Sequence, residues 1–299
     1  MATLINHSEN HTYRVVRPDG HKTVLRVHRP HYQSAQTIES ELTWLGALRR
    51  DTALPVPRPL PGRDGRLLQT IMTADGERRA VLFAHEPGTE PTPDDDLGGL
   101  FETLGRFSAI AHAHAQSFTP PRDFSRQVWT SGAILDPDGL WGDWRASPGV
   151  SGMVAQQLGQ LDIALRRDLA RYGRGSDRFG LIHADMRLAN LLVDNGNVTL
   201  IDFDDCGFCW FMYDFAAAVS FFEDSPKLPE LRRRWLDGYT AVRPLSSSDV
   251  AMLDAMVLLR RMALLAWIGS HAETELAQSH ARTFAAVTAE LAQPYLVLS

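Results

Sequence analysis

The chain has 299 residues, 44% of them apolar and 22% charged, which is ordinary for a globular protein that buries a substantial core. Its net charge of −6 argues against nucleic acid as the main partner, because that role favours a basic surface. It has neither an N-terminal apolar run nor about 20 consecutive apolar residues, so we expect no signal peptide, no membrane span and a cytoplasmic protein.

The first third of the chain is predicted to form a sheet of about five strands and one helix. Short apolar runs bounded by turn residues predict strands that include residues 13–16, 23–28, 67–71 and 80–83. From Thr37, apolar residues recur at three- and four-residue steps and predict the helix. A stiff proline-rich connector follows over residues 54–59, because each proline removes a backbone donor and restricts its neighbour.

One cation in the second predicted strand is notable. Strand alternation places Val24, Arg26 and His28 on one face, with Leu25 and Val27 on the other. A cation on the inner face of a strand is unusual unless it meets an anion. We therefore expect Arg26 to have an anionic partner, unless it lies on an edge strand and faces water.

The rest of the chain is predicted to be mainly helical, with helices at about residues 97–118, 153–172, 228–239, 249–271 and 273–292. Residues 119–150 are irregular and contain three tryptophans, and they form either a substrate lid or a folded surface excursion. The two cysteines, Cys206 and Cys209, are expected to be packing residues. A redox pair or a zinc site is the alternative, although no second cysteine pair exists.

The most informative stretch is residues 179–205. It consists of an apolar lead-in, a polar loop, two short apolar runs and an acidic cluster. Asn195-Gly196 between the apolar runs supplies the positive φ angles of a tight turn, so residues 191–193 and 198–201 are predicted to pair antiparallel. This pairing brings the polar loop and the acidic cluster to the same end of one hairpin. Oxygen-rich groups on a rigid ribbon suit a hard cation such as Mg²⁺.

The spacing of the polar residues resembles a kinase active site. His183, Asp185 and Asn190 have the offsets of the catalytic loop H-R-D-L-x-x-x-N, and Asp202-Phe203 stands where D-F-G would follow. Because Ala replaces the Arg and Asp replaces the Gly, the chain resembles the aminoglycoside phosphotransferase and choline kinase superfamily. Within it, the acidic cluster is similar to that of bacterial stress response kinases and homoserine kinase-like proteins.

This resemblance implies an α+β fold of the two-lobed, protein-kinase-like type. A small antiparallel sheet with one helix would form an N-terminal nucleotide-binding lobe over residues 1–85. A larger, mainly helical lobe over residues 86–299 would carry the catalytic and substrate-binding groups. ATP and Mg²⁺ are the implied cofactors, with GTP as an alternative donor.

The resemblance also assigns catalytic roles. Asp185 is expected to deprotonate the acceptor hydroxyl, and Arg187 to offset charge on the transferred phosphoryl group. Asn190 and Asp202 are expected to hold Mg²⁺ against the phosphates. Asp204 is expected to ligate a second ion, although binding of a cationic substrate and the same roles for its neighbour Asp205 remain open.

Arg26 stands where these kinases have a lysine on the α- and β-phosphates, which is a departure because a planar fork and a point charge are not interchangeable. In the family, a glutamate of the next helix clamps this cation. Glu41 is expected to be this glutamate, and Glu39 is the alternative. The helix acid could also be exposed to solvent and make no such contact. Further along the chain, Asp214 is expected to brace the catalytic loop.

The remaining nucleotide contacts are placed by the resemblance alone. Ser8 and Asn10 occupy the position of the loop that covers the phosphates, unless this loop is simply exposed. The adenine site is expected to include the side chains of Val24, Leu192 and Ile201 and the hinge backbone at Phe83 and Ala84.

The phosphate acceptor is less well defined. A small hydroxylated molecule such as an amino alcohol or aminoglycoside is favoured by the acidic balance of the chain. A protein Ser or Thr, as in the stress response kinases, is the alternative, and a nucleotide-binding module without transfer is a third. We expect a monomer or a homodimer.

Overall fold

Strands form in the segments where short apolar runs alternate with turn residues. In chain order they are β1 (Ala2–His7), β2 (His11–Val16), β3 (Lys22–Val27), β4 (Pro59–Leu60), β5 (Leu68–Thr73), β6 (Gly76–Ala84), β7 (Gln127–Val128), β8 (Phe179–Ile182), β9 (Leu191–Asp194), β10 (Asn197–Leu200) and β11 (Gly207–Trp210). These bounds come from a computed structural model that describes residues 1–7, 10–30, 32–74 and 76–298.

Helices account for most of the chain after residue 97. They are α1 (Ala35–Asp51), α2 (Gly98–Ser117), α3 (Ser131–Leu135), α4 (Gly152–Tyr172), α5 (Tyr213–Ala218), α6 (Leu228–Thr240), α7 (Ser247–Ala251), α8 (Leu253–Ser270), α9 (Glu275–His280) and α10 (Phe284–Leu298). No helix in the described ranges has the length and hydropathy needed to cross a membrane.

The chain divides into two compact units. Unit 1 comprises residues 1–92, 117–126 and 189–206, and unit 2 comprises residues 93–116, 127–188 and 207–299. Unit 1 carries an antiparallel sheet and one long helix, whereas unit 2 is mainly helical. The predicted α+β fold class is thereby confirmed. The predicted division into residues 1–85 and 86–299 stays a prediction.

The sheet of unit 1 is antiparallel, in the order β1-β2-β3-β6-β4, with β5 also paired to β6. Helix α1 begins where the Ser34 hydroxyl accepts the Thr37 N–H at 3.1 Å, which satisfies one of the unpaired donors of the first turn. Its buried face comprises Ile38, Leu42, Trp44, Leu45 and Leu48 together with one acid, Glu41.

Strands β9 and β10 form the predicted hairpin in unit 1. Asn195 and Gly196 have φ angles of 48° and 83°, the left-handed values that a tight two-residue turn requires. The register pairs Asp194 with Asn197 at the turn and Leu191 with Leu200 at the open end. The hairpin that the sequence predicts is therefore present, with this register.

Unit 2 is built around α8, which is buried along almost its whole length and packs against α5 and α10. A small sheet pairs β11 antiparallel with β8 and parallel with β7. The single helix predicted over residues 273–292 is wrong, because α9 ends at His280 and a turn separates it from α10. In this turn the Thr283 N–H donates to His280 O at 3.2 Å.

The three tryptophans of the irregular segment belong to the core of unit 2. Trp129, Trp141 and Trp144 are all buried. Cys206 and Cys209 are buried free thiols, and burial raises the pKa of Cys206 to about 12. Such a thiol stays protonated at neutral pH and is a poor nucleophile, which fits the predicted packing role.

Candidate active site

Arg26 of β3 is held by two carboxylates of unit 1. Its Nη2 donates to both oxygens of Glu41, at 2.8 and 2.6 Å, and its Nη1 donates to Asp202 Oδ1 at 3.2 Å. The Arg26–Glu41 pair is buried, whereas the Asp202 carboxylate is 41% exposed. Burial alone would lower the pKa of Arg26, but Glu41, Asp204 and Asp202 raise it above its usual value. The cation is therefore permanent, and it is already paired with carboxylates.

The hairpin brings Asn190 and Asp202 to the same end. The Ile201 N–H donates to Asn190 O at 2.9 Å, which continues the β9–β10 ladder by one more step. Asp202 follows directly with a φ of 59°, in the left-handed region that Asp adopts more readily than most residues. An amide side chain just before β9 and a carboxylate just after β10 thus lie at the open end of the hairpin.

These residues line one cavity of about 300 Å³ in unit 1. Its lining includes the polar side chains of Arg26, Glu41, Asn190 and Asp202. It also includes the predicted adenine contacts Val24, Phe83, Ala84, Leu192 and Ile201. An apolar wall beside a few convergent polar groups is the usual composition of a small-molecule site.

The cavity fits a magnesium nucleotide. The Asn190 amide and the Asp202 carboxylate offer the oxygen ligands that Mg²⁺ prefers, and Arg26 offers a charge for phosphate. Among the described residues, no group of three or more His, Cys, Asp or Glu side chains could hold a metal by itself. A metal bound here would therefore share ligands with phosphates and water, as Mg²⁺ usually does.

Asn10 and Asp204 do not line the cavity but bond to each other. Asn10 Nδ2 donates to Asp204 Oδ2 at 2.9 Å, and His28 Nδ1 lies 3.7 Å from Asp204 Oδ1. Burial would raise the pKa of Asp204, but Arg26, Arg126 and the hydrogen bond from Asn10 hold it below its usual value. The predicted nucleotide role of Asn10 and metal role of Asp204 stay predictions. Ser8 lies outside the described residues.

Arg126 is a buried residue of unit 1 that sequence reasoning missed. It donates to Thr37 O at 2.9 Å, to Cys206 O at 2.6 Å and to Asp204 O. It thereby ties the first turn of α1 to the acidic segment after the hairpin. A lone arginine in an irregular stretch gives no sequence signal of this role.

In unit 2, Asp214 holds the loop that follows β8. It accepts the Ala184 N–H at 2.8 Å and the His183 N–H at 3.4 Å, and Ala184 has a φ of 66°. The structure therefore shows the contact expected of Asp214 as a brace for this loop. The two backbone N–H groups that donate to this carboxylate help to hold the left-handed conformation of Ala184, which is costly for a residue other than glycine.

A buried hydrogen-bond chain orients Asp214 in turn. His112 Nε2 lies 3.0 Å from Asp214 Oδ2, and its Nδ1 lies 3.0 Å from the Tyr239 hydroxyl. Burial lowers the pKa of His112, so the ring is neutral, and we assign its proton to Nε2 because the carboxylate only accepts. The Tyr239 hydroxyl then donates to Nδ1 and accepts from Arg243 at 2.7 Å.

Asp185 lies on the same loop between two arginines. Arg260 Nη2 donates to its Oδ1 at 2.5 Å, and Arg187 Nε donates to its Oδ2 at 3.2 Å. Burial would raise the pKa of Asp185, but Arg187, Arg260 and His183 hold it below its usual value. Sequence reasoning missed Arg260. The available signal is the pair Arg260-Arg261 inside an otherwise apolar helix.

The antiparallel sheet with its Arg–Glu pair, the hairpin and the braced loop are features of a kinase-like phosphotransferase. Residues 2–246 match the phosphotransferase enzyme family, APH, and the chain belongs to this family, as the resemblance predicts. It is a phosphotransferase that acts on an alcohol group.

Several known proteins are similar to the chain. The solved structure of a microcompartment-associated aminopropanol kinase is 44% identical, with a TM-score of 0.92, over 100% of this chain and 93% of that one. The homoserine kinase of Gluconobacter oxydans (strain 621H) is 30% identical over 227 residues, which cover 72% of this chain and 66% of that protein. The amicoumacin kinase hAmiN, solved in complex with AMP-PNP, Ca²⁺ and Ami, is 20% identical, with a TM-score of 0.78, over 97% of this chain and 88% of that one.

Proposed function

We propose that this protein transfers the γ-phosphate of magnesium ATP to the hydroxyl of a small amino alcohol of the aminopropanol class. One observation carries the donor side. It is the cavity in which Arg26 joins Glu41 to Asp202 beside Asn190 and an apolar wall. The acceptor class is supported by the 44% identity to an aminopropanol kinase over the whole chain.

On the donor side, Val24, Leu192 and Ile201 would pack against adenine. The Ala84 N–H already donates to Arg58 O at 2.9 Å, so we expect the hinge contact to come from the backbone just after it. His85 and Glu86, which line the cavity, are the next residues. Arg26 would contact the α- and β-phosphates, and Asn190 and Asp202 would hold Mg²⁺.

In the reaction, the acceptor oxygen bonds to the γ-phosphorus, the bond from phosphorus to the ADP oxygen breaks, and the hydroxyl proton moves to Asp185. Arg187 would offset charge on the transferred group. Bound Mg²⁺ supplies charge neutralisation at the phosphates. The protein's task is mainly positioning, because the transition state is loose and ADP is a good leaving group.

The cytoplasmic location and the monomeric or homodimeric state stay predictions, and the related aminopropanol kinase is associated with a microcompartment. Nothing in the described residues favours a protein substrate over a small one. A Ser/Thr peptide is therefore a competing substrate in the test.

The test is a mass-shift screen with magnesium ATP. Aminopropanol, homoserine, an aminoglycoside and a Ser/Thr peptide are incubated with the protein and with Asp185→Asn. We expect aminopropanol to gain ~80 Da fastest, and the variant to bind ATP but turn over at least ~10²-fold more slowly. Transfer to the peptide alone would replace this proposal with a protein kinase. ATP binding without transfer to any acceptor would contradict it.

A further inference from the structure

The two arginines at Asp185 differ in their surroundings. The side chain of Arg187 is 23% exposed, whereas that of Arg260 is 2% exposed. Arg187 contacts Oδ2 at 3.2 Å and Arg260 contacts Oδ1 at 2.5 Å. The carboxylate therefore has one oxygen on a buried cation and the other beside a more accessible one.

Arg260 is itself fixed on several sides within unit 2. Its Nε donates to Ser220 Oγ at 3.0 Å, its Nη1 donates to Ala184 O at 3.3 Å, and its guanidinium lies 5.1 Å from the ring centroid of Trp141. All three nitrogens of the guanidinium thus have a partner. A planar group bonded through each nitrogen cannot turn without losing hydrogen bonds.

We propose that Arg260 is a positioning residue for phosphoryl transfer, which fixes Asp185 through Oδ1 so that Oδ2 meets the acceptor hydroxyl. The inference rests on the proposed role of Asp185 as the base. A carboxylate with one anchored oxygen loses its rotational freedom, so the direction of the other oxygen is set before the substrate arrives. Arg187, on the Oδ2 side, is then placed to exchange its contact with Asp185 for one with the phosphoryl group.

The chain offers a matched control in the next residue. Arg261 is also 2% exposed, and it donates to Glu223 Oε2 at 2.5 Å and to Thr288 Oγ at 3.0 Å. It lies on the same helix as Arg260, is equally buried and forms the same kind of ion pair. Its carboxylate partner, however, is not the proposed base. A purely structural role for Arg260 would make the two arginines equivalent.

The kinetic test compares Arg260→Met with Arg261→Met, using magnesium ATP and aminopropanol. We expect kcat to fall by about 10²-fold in Arg260→Met, with ATP binding kept, because displacing the base by about an ångström lowers the rate by about this factor. The cations and polar groups that face Asp185 include Arg187, Arg260, His183 and Tyr213. Removing Arg260 raises the pKa of Asp185, so the acid limb of kcat should move to higher pH. Arg261→Met should leave this limb in place.

A second measurement does not depend on turnover. The Asp185 carboxyl, assigned with Asp185→Asn, is followed by ¹³C NMR as the pH is lowered. We expect it to titrate below the usual range of a carboxyl in the wild type and in Arg261→Met, and at higher pH in Arg260→Met. If this titration is seen but Asp185→Asn keeps full turnover, the base role fails and the positioning role fails with it. If Asp185→Asn is inactive and Arg260→Met leaves both kcat and the titration unchanged, only the present inference is overturned.

If Arg260→Met does not fold, Arg260→Lys is measured in its place. Lysine keeps the charge but has one nitrogen in place of the three that bond Asp185, Ser220 and Ala184, so kcat should fall while the acid limb stays near its wild-type position. Wild-type kcat in Arg260→Lys would overturn the inference. An equal loss of kcat and an equal shift of the limb in the Arg260 and Arg261 variants would also overturn it.

Discussion

Arg26 Nη2 lies 2.6 Å from Glu41 Oε2 and 2.8 Å from Glu41 Oε1, so a single nitrogen is shared by both oxygens of a buried carboxylate. The second guanidinium nitrogen, Nη1, contacts Asp202. A planar fork divides its nitrogens between the two acids, whereas a lysine ammonium would have to reach both acids from a single nitrogen.

The buried pair predicts a stability pattern. Arg26→Met should destabilise the fold by about 3–5 kcal/mol, because it leaves the Glu41 carboxylate buried without its cation. Arg26→Met combined with Glu41→Leu should recover most of this loss, since replacing both ions with apolar groups is often nearly neutral. Urea unfolding measures the effect. Equal stability of the single and double variants would show that the pair is not coupled.

Arg26→Lys tests whether ATP binding needs the two separate nitrogens of the guanidinium group. The lysine keeps a cation in β3 but has one nitrogen, instead of two, for the contacts with Glu41 and Asp202. We expect ATP to bind about ten times more weakly, the scale of one charge-assisted hydrogen bond. Isothermal titration with ATP and Mg²⁺ measures this, with Arg66→Lys, at the surface of unit 1 and outside the cavity lining, as the control. Unchanged affinity in Arg26→Lys would mean that charge alone is sufficient.

Metal dependence separates Asp202 from Asp204. Asp202→Asn should raise the Mg²⁺ concentration needed for half-maximal turnover by at least about tenfold, because a carboxylate ligand becomes a neutral amide. Asp204→Asn should mainly lower stability, since Asp204 is buried against Asn10. Chelation of Mg²⁺ should abolish turnover in each protein. A large Mg²⁺ shift in Asp204→Asn would instead support the predicted metal role of that residue.

The loop brace predicts a loss of both stability and rate. In Asp214→Asn, one of the two backbone donors at 183 and 184 would face an amide NH₂, at a cost of about 1–3 kcal/mol. Turnover should fall with it because the loop carries Asp185. Tyr239→Phe removes the hydroxyl that bonds His112 and Arg243, and it should cost less, about 1 kcal/mol, because the backbone bonds of the loop are kept. Thermal unfolding and kcat, measured on both variants, test this order.

The buried, neutral His112 predicts an acid-sensitive fold. Burial holds its pKa below the usual value of about 6.5, so below that pH the unfolded chain takes up a proton that the folded chain refuses. Stability should therefore fall as the pH drops below about 6.5, with this residue adding a slope of up to ~1.4 kcal/mol per pH unit. His112→Gln should remove that part of the slope in urea unfolding at pH 8 to 5. Parallel curves for the two proteins would contradict the assignment.

The sequence alone determined the features that depend on short stretches of backbone. The Asn195-Gly196 turn sets the register of the hairpin, and the register carries Asn190 and Asp202 to one end, because left-handed φ angles and strand alternation are local properties. The position of Arg26 on the inner face of β3 follows in the same way.

Tertiary structure decided which partners the charged side chains take. Both Glu39 and Glu41 lie on α1, but only packing shows that Glu41 is buried on Arg26 while Glu39 contacts Arg66 at the surface. Arg260 lies 75 residues from Asp185 along the chain, so no local pattern pairs them. Burying a charge is costly without a partner, and that partner is selected by the packing of distant segments, which a pattern read along one stretch of chain does not contain.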